Sequence, residues 1–169
     1  DPFPHECALV VCETGVPHRL VDGAYNRIRA NCQAAAAQLG SPSLRPVTMA
    51  RLERARGELT EREFACASHV VGENQRVVFA ERALREGDHR QFGEYLLQSH
   101  ESSRDLLGNS APELDAQVAI AAKLPGWLGG RLTGGGFGGS TLHLVEASEV
   151  REFMEAMARR YQAELGVAI

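Results

Sequence analysis

Apolar and polar positions along the chain fall into short blocks with clear punctuation. Ala8-Leu9-Val10-Val11-Cys12 is a continuous apolar run, which predicts a buried strand ending at Thr14-Gly15. Pro17 to Val21 predicts a loop, and Asp22 a helix cap. Tyr25, Ile28, Cys32, Ala35 and Leu39 then recur at steps of three and four, a helical stripe stopped by Gly40 and Pro42. Thr48 caps a short helix before Gly57. Thr60-Glu61-Arg62-Glu63 is a capping box opening a long helix, with Phe64, Ala67, Val71, Val78 and Leu84 on its buried side and Gly87 at its end. Asp88 with Gln91 caps the next helix, whose narrower stripe (Phe92, Leu96, Ser99, Ser103, Leu106) permits close helix packing up to Gly108. Ser110-Ala111-Pro112-Glu113 reads as another capping box, and Leu114, Val118 and Ala121 face inward until Pro125-Gly126.

The last third changes period. Thr141-Leu142-His143-Leu144-Val145 alternates as a half-buried strand does, which places His143 on the solvent face. Ser148 then caps a final helix with a stripe of Val150, Phe153, Met154, Met157 and Tyr161, ended by Gly166. Val167-Ala168-Ile169 reads as the first residues of a further strand. Strands near Cys7–Cys12, Leu128–Thr133 and Thr141–Val145, with amphipathic helices between and after them, predict an α+β fold with a small antiparallel sheet. No linker, repeat or low-complexity segment divides residues 1–169, so one domain is expected.

Composition narrows the class. Hydrophobic residues make up 44% and charged residues 24%, an ordinary balance for a globular domain. A net charge of −4 gives no support for nucleic acid as a partner. No apolar run approaches the ~18 residues of a membrane span. Cys7, Cys12, Cys32 and Cys66 form no Cys-x-x-Cys pair, so buried free thiols in a reducing cytoplasm are expected. The chain starts Asp1-Pro2-Phe3-Pro4, which reads as a fragment boundary.

Candidate chemistry concentrates in Arg131-Leu132-Thr133-Gly134-Gly135-Gly136-Phe137-Gly138-Gly139-Ser140, where 5 of 10 residues are glycine. Glycines admit positive φ and close approach, and a run of backbone N–H groups in such a loop is a ready anion site. The string matches G-x-G-x-x-G, but a strand follows it rather than a helix, which excludes a dinucleotide fingerprint. No Gly-Lys-Ser/Thr ends it, which excludes a Walker A loop. On these residues alone, a ligand-free hairpin and a phosphate-facing loop remain equally open.

The longer string Arg131 to Gly139 resembles the third sequence motif of galactokinases, in the GHMP family of small-molecule kinases, with Leu132 for Met and Ser140 for the following Cys. Three other stretches resemble the same family. Tyr25-Asn26-Arg27-Ile28-Arg29 is similar to Tyr-Asn-x-Arg-Arg, with Ile28 for the first arginine. His69 to Arg76 is similar to His-Val-Val-x-Glu-Asn-x-Arg, and Asn109 to Asp115 to Ser-Cys-Pro-Glu-Leu-Asp. The resemblance implies a ferredoxin-like GHMP-kinase C-terminal domain. It also implies transfer of the γ-phosphoryl of MgATP to O1 of galactose by the intact enzyme, with ATP and Mg2+ as cofactors.

Within this chain the resemblance places Gly134, Gly135, Gly136 and Gly138 at the phosphates and Tyr25 against the sugar. By periodicity alone, Tyr25 would be the first residue of a core stripe. The family's N-terminal sugar motif, ATP loop and catalytic Asp are absent from this chain, so no catalytic residue is assigned and the piece by itself is expected to be inactive. The alternatives are a galactokinase-like sugar- and ATP-binding regulator, or a GHMP kinase with another small-molecule substrate. His69 and Glu73 stand one turn apart, yet with no second histidine nearby a packed polar network is preferred over a metal site. His5, His18, His89 and His100 are scattered and mostly in polar settings.

Overall fold

The computed structural model describes residues 5–15 and 23–168. The expected Asp22 cap and Pro17–Val21 loop lie outside them. The described elements are β1 (Cys7–Glu13), α1 (Ala24–Gln38), α2 (Met49–Arg54), α3 (Glu61–Glu86), α4 (His89–Ser102), α5 (Pro112–Ala121), β2 (Trp127–Thr133), β3 (Ser140–Glu146) and α6 (Val150–Leu165). The three strands form one antiparallel sheet in the order β1-β3-β2. This is the α+β fold with a small antiparallel sheet that the sequence predicts.

Both sheet faces are covered, and the coverage follows from strand alternation. On one face Val10, Cys12 and Val145 pack with Ile120 of α5 and with Phe153, Met157 and Tyr161 of α6. On the other, α4 lies against β2 so closely that a Cβ added at Gly93 would overlap the Leu128 carbonyl, and one at Gly129 the Gly93 carbonyl. Two glycines facing each other are what permit this approach. A second core joins Ala35 and Ala36 of α1, Leu39 just after it, Leu44 and Val47 of the following loop, Leu52 of α2, and Ala67 and Val71 of α3.

The caps were largely readable. Thr48 accepts from the Arg51 N–H, Thr60 and Glu63 form the reciprocal capping box, Asp88 accepts from the Gln91 N–H, and Gly87 ends α3 at φ 71. Four expectations fail. Ser110 caps nothing: α5 starts from Ala111, and the Ser110 hydroxyl donates instead to Asp115 at 2.6 Å. Ser148 falls inside a short 3₁₀ turn, and α6 starts after Glu149 without a side-chain cap. Val78 and Met154, assigned to buried stripes, are exposed. Val167 and Ala168 form no strand, although Val167 stands against Gly15 just past the end of β1.

Candidate active-site loop and its supports

The glycine string is the turn joining β2 to β3. Gly134, Gly136, Gly138 and Gly139 all have positive φ, and Phe137 joins them at φ 59. Its members have different surroundings. Gly134 and Gly135 are exposed, and a Cβ on either would meet nothing within 4 Å. Gly136 is buried, and a Cβ there would fall on the Asn109 carbonyl oxygen and 2.8 Å from its Nδ2. Gly138 is buried too. A side chain at Gly136 would therefore collide with Asn109 and not only with an approaching phosphate: the space beside Gly136 is filled by the protein. The open part of the loop is Gly134–Gly135.

Two supports hold the loop. Asn109 accepts from the Phe137 N–H through its backbone carbonyl at 2.7 Å and donates from Nδ2 to the Gly135 carbonyl at 3.1 Å. At the other end, the N–H of buried Thr14 donates to the Gly139 carbonyl at 2.7 Å, and the Tyr161 hydroxyl donates to the Thr14 carbonyl at 3.0 Å.

Asn109 is itself well anchored. It follows a π-helical turn over Ser103–Leu107, closed by Gly108 at φ 69. Arg62 of α3 reaches across to donate to the Leu106 carbonyl at 2.8 Å and to the Leu107 carbonyl.

Beneath the loop runs a polar layer. The Ser99 hydroxyl donates to Glu73 at 2.6 Å, Arg76 pairs with it at 2.7 Å, and Arg131, the first residue of the motif, stands 3.7 Å away. Burial pushes the Glu73 carboxyl up, but the Ser99 hydroxyl and the Arg76 guanidinium outweigh it, and the net direction is down. His69 contacts the Ser102 hydroxyl at 2.9 Å, and burial lowers its pKa against the pull of Glu73. His69 and Glu73 are thus engaged in a packed network. His100 is buried, unlike its expected polar setting: its Nδ1 accepts from the Leu132 N–H at 3.2 Å, and its Nε2 lies 3.1 Å from Asp115. Burial lowers its pKa although Asp115 opposes this.

His143 is the clearest departure. It points into the core on the α6 face, fully buried, with Phe153 beside it. Trp127 Nε1–H donates to its Nδ1 at 3.2 Å, so Nε2 carries the proton and donates to Thr141 Oγ1 at 2.7 Å. The Thr141 hydroxyl donates onward to Gln117 Oε1 at 2.8 Å, and Gln117 Nε2 donates to the Glu13 carbonyl at 2.8 Å. Each donor finds an acceptor in one direction, and the row ends one residue before Thr14. Burial, with a smaller push from His100, takes the His143 pKa down to about 4.

Tyr25 is 64% exposed in the first turn of α1, so it is not the core residue that periodicity suggests. It stands apart from the glycine loop, on a helix that packs against α3. One turn on, Arg29 borders a cleft of about 670 Å³ that continues past Gln33 to Arg45 and Asn74. The Asn74 Nδ2 is buried there without a hydrogen-bond partner. Neither this cleft nor the Asn109 contact left a trace in local sequence pattern. The four cysteines are free, and burial raises all their thiols, Cys12 and Cys32 to about 11. Among the described residues no helix is long and apolar enough to cross a membrane, and no cluster of three His, Cys, Asp or Glu could hold a metal ion.

Residues 80–163 match the family model described as GHMP kinases C terminal. Over those residues the chain is similar to the GHMP kinases, and it carries the fold of their C-terminal domain. L. major mevalonate kinase in complex with R-mevalonate superposes with a TM-score of 0.58 at 21% identity, a likeness of fold alone.

Within the family the likeness is to galactokinases. The chain is 42% identical over 154 residues to the Bos taurus galactokinase, covering 91% of this chain and 39% of that protein. It is 42% identical over 171 residues to the Chloroflexus aggregans galactokinase, covering 98% of this chain and 44% of that one. Lactococcus lactis galactokinase complexed with galactose superposes with a TM-score of 0.90 at 30% identity, over 96% of this chain and 43% of that one. The chain therefore spans less than half the length of the curated relatives it matches.

Proposed function

We propose that this chain is the C-terminal part of a cytoplasmic galactokinase, which phosphorylates galactose at O1 with ATP, and that the piece alone is inactive. The observation that carries the reading is the loop Arg131–Gly139. Its galactokinase-like sequence folds so that Gly134 and Gly135 stand open while the rest is fastened to the protein. An exposed glycine backbone can donate its N–H groups to a phosphate oxygen at close range because no Cβ intervenes.

The residues fit a nucleotide in part. Bound ATP would supply the transferable phosphoryl group. Gly134 and Gly135 would form one wall of its cradle, and Arg131 would be held beside that wall by Glu73. Tyr25 would form a wall of the sugar pocket, its apolar ring against the sugar face and its hydroxyl free to bond. We assign the Mg2+ ligands and the group that handles the attacking hydroxyl to the triphosphate and to residues outside this chain, in an N-terminal domain. In-line phosphoryl transfer needs all of these parts together.

Gly135 tests the reading, since its φ is not positive and its surroundings are open. In the full-length parent, Gly135→Val should cut galactose-dependent ADP release by at least about 100-fold and leave the melting temperature unchanged. Wild-type turnover in this variant would show that the loop is only a hairpin.

A further inference from the structure

We propose that Asn109 is a positioning residue for the phosphate loop, an inference that rests on the galactokinase reading above. Asn109 grips three successive loop residues in three ways. Its Nδ2 donates to the Gly135 carbonyl, its backbone carbonyl accepts from the Phe137 N–H, and its backbone fills the space where Gly136 lacks a Cβ. The backbone contacts would survive most substitutions, whereas the Nδ2 bond belongs to this side chain.

That bond sets the orientation of one peptide plane. A trans peptide is planar, with its C=O and N–H pointing in opposite directions. Drawing the Gly135 carbonyl inward onto Asn109 therefore fixes the direction of the Gly136 N–H in the same peptide. The Phe137 N–H is already directed inward onto the Asn109 carbonyl. Asn109 thus decides which faces of successive loop peptides the open Gly134–Gly135 tip presents. A glycine-rich stretch has no side chains of its own to make that choice.

Two further observations separate this from ordinary packing. Asn109 is 7% exposed, and its Oδ1 is buried without a hydrogen-bond partner. The Gly135 carbonyl accepts only from the nitrogen end of the amide, so the oxygen end is left unpaired by the same contact. Buried polar atoms are nearly always satisfied, and an exception beside an anion-type loop indicates that orientation, not hydrogen-bond count, governs the residue. The anchor is stiff as well, since Gly108 and Asn109 both donate to the Ser103 carbonyl and Arg62 holds the preceding turn.

The test uses the full-length parent and three proteins: wild type, Asn109→Ala and Asn109→Asp. The aspartate is nearly isosteric and retains the packing, but it cannot donate to the Gly135 carbonyl. Both variants should raise the KM for ATP about tenfold, as expected for losing one orienting hydrogen bond, while the KM for galactose stays within about twofold. Calorimetric titration of MgATP should show the same weakening. A common rise in both KM values, or unchanged ATP binding in both variants, overturns the proposal. If the wild type binds MgATP but releases no galactose-dependent ADP, the galactokinase reading fails and the titration still decides Asn109. If the wild type binds no nucleotide, both are overturned.

Discussion

Lowering the pH from 7 to 5 should destabilise this fold by about 2 kcal/mol through His143 alone. An unfolded histidine titrates near 6.5, and burial takes folded His143 down to about 4. The depressed value means that the folded state favours the neutral ring. Stability from this group is therefore complete above about pH 6.5 and is lost as pH falls toward 4. Between those limits the unfolded chain binds a proton that the folded chain refuses, a slope of up to about 1.4 kcal/mol per pH unit. The full difference approaches about 3 kcal/mol by pH 4, where carboxylates begin to titrate and confuse the reading.

The geometry gives the same sign. A protonated ring has two donors, so its Nδ1 would face the Trp127 indole N–H, donor against donor, at 3.2 Å. The assay is urea unfolding at pH 7, 6 and 5 for wild type and His143→Gln, which keeps one acceptor and one donor. The variant should be less stable at pH 7 but should lose about 2 kcal/mol less than wild type on going to pH 5. His69 contributes to both proteins and cancels in the comparison, whereas His100, which repels a charged His143, makes a smaller contribution that differs between them. Equal losses in the two proteins would refute the reasoning and return the acid sensitivity to other groups.

Gly93→Ala should destabilise the chain by at least about 2 kcal/mol in urea unfolding, because its Cβ would overlap the Leu128 carbonyl and force α4 off β2; a cost below about 0.5 kcal/mol would mean that the helix can shift freely. Tyr25→Phe in the full-length parent should raise the galactose KM about fivefold, the loss of one hydroxyl contact of about 1 kcal/mol, with little change in the ATP KM. Because Tyr25 is exposed, its melting temperature should not move, and an equal effect on both substrates would sink its assignment to the sugar.

What could be read from the sequence was what neighbours along the chain decide. The strands, the Thr60–Glu63 box, the Asp88 cap and the Gly87 stop are local, and they stand where the pattern put them. His143 was misplaced because alternation tells the two faces of a strand apart only when one of them is wet. Here α4 covers one face and α5 with α6 the other, so Leu144 and His143 are both buried on opposite sides. Val78 continues an apolar stripe on α3, but among the described residues it remains exposed. Ser110 satisfies the capping pattern, yet Asp115 offered its hydroxyl a better-placed charged acceptor. The loop's glycine frame was plain, but the difference between open Gly135 and filled Gly136 was not. It depends on Asn109, which is remote in sequence and reaches the loop only through the folded chain.

The helix α3 has a consequence for how two ligands could be aligned without their walls ever touching. It runs 26 residues, a rod of about 39 Å. Its one side carries α1, and with it Tyr25. From the same rod, Glu73 approaches Arg131 at the head of the glycine string, and Arg62 grips the turn that leads to Asn109. Both proposed contact points are therefore measured from one ruler. Sliding the sugar side relative to the phosphate side would require α3 to bend or its two flanks to repack. The spacing between donor and acceptor is then a dimension of the scaffold, fixed before either ligand arrives.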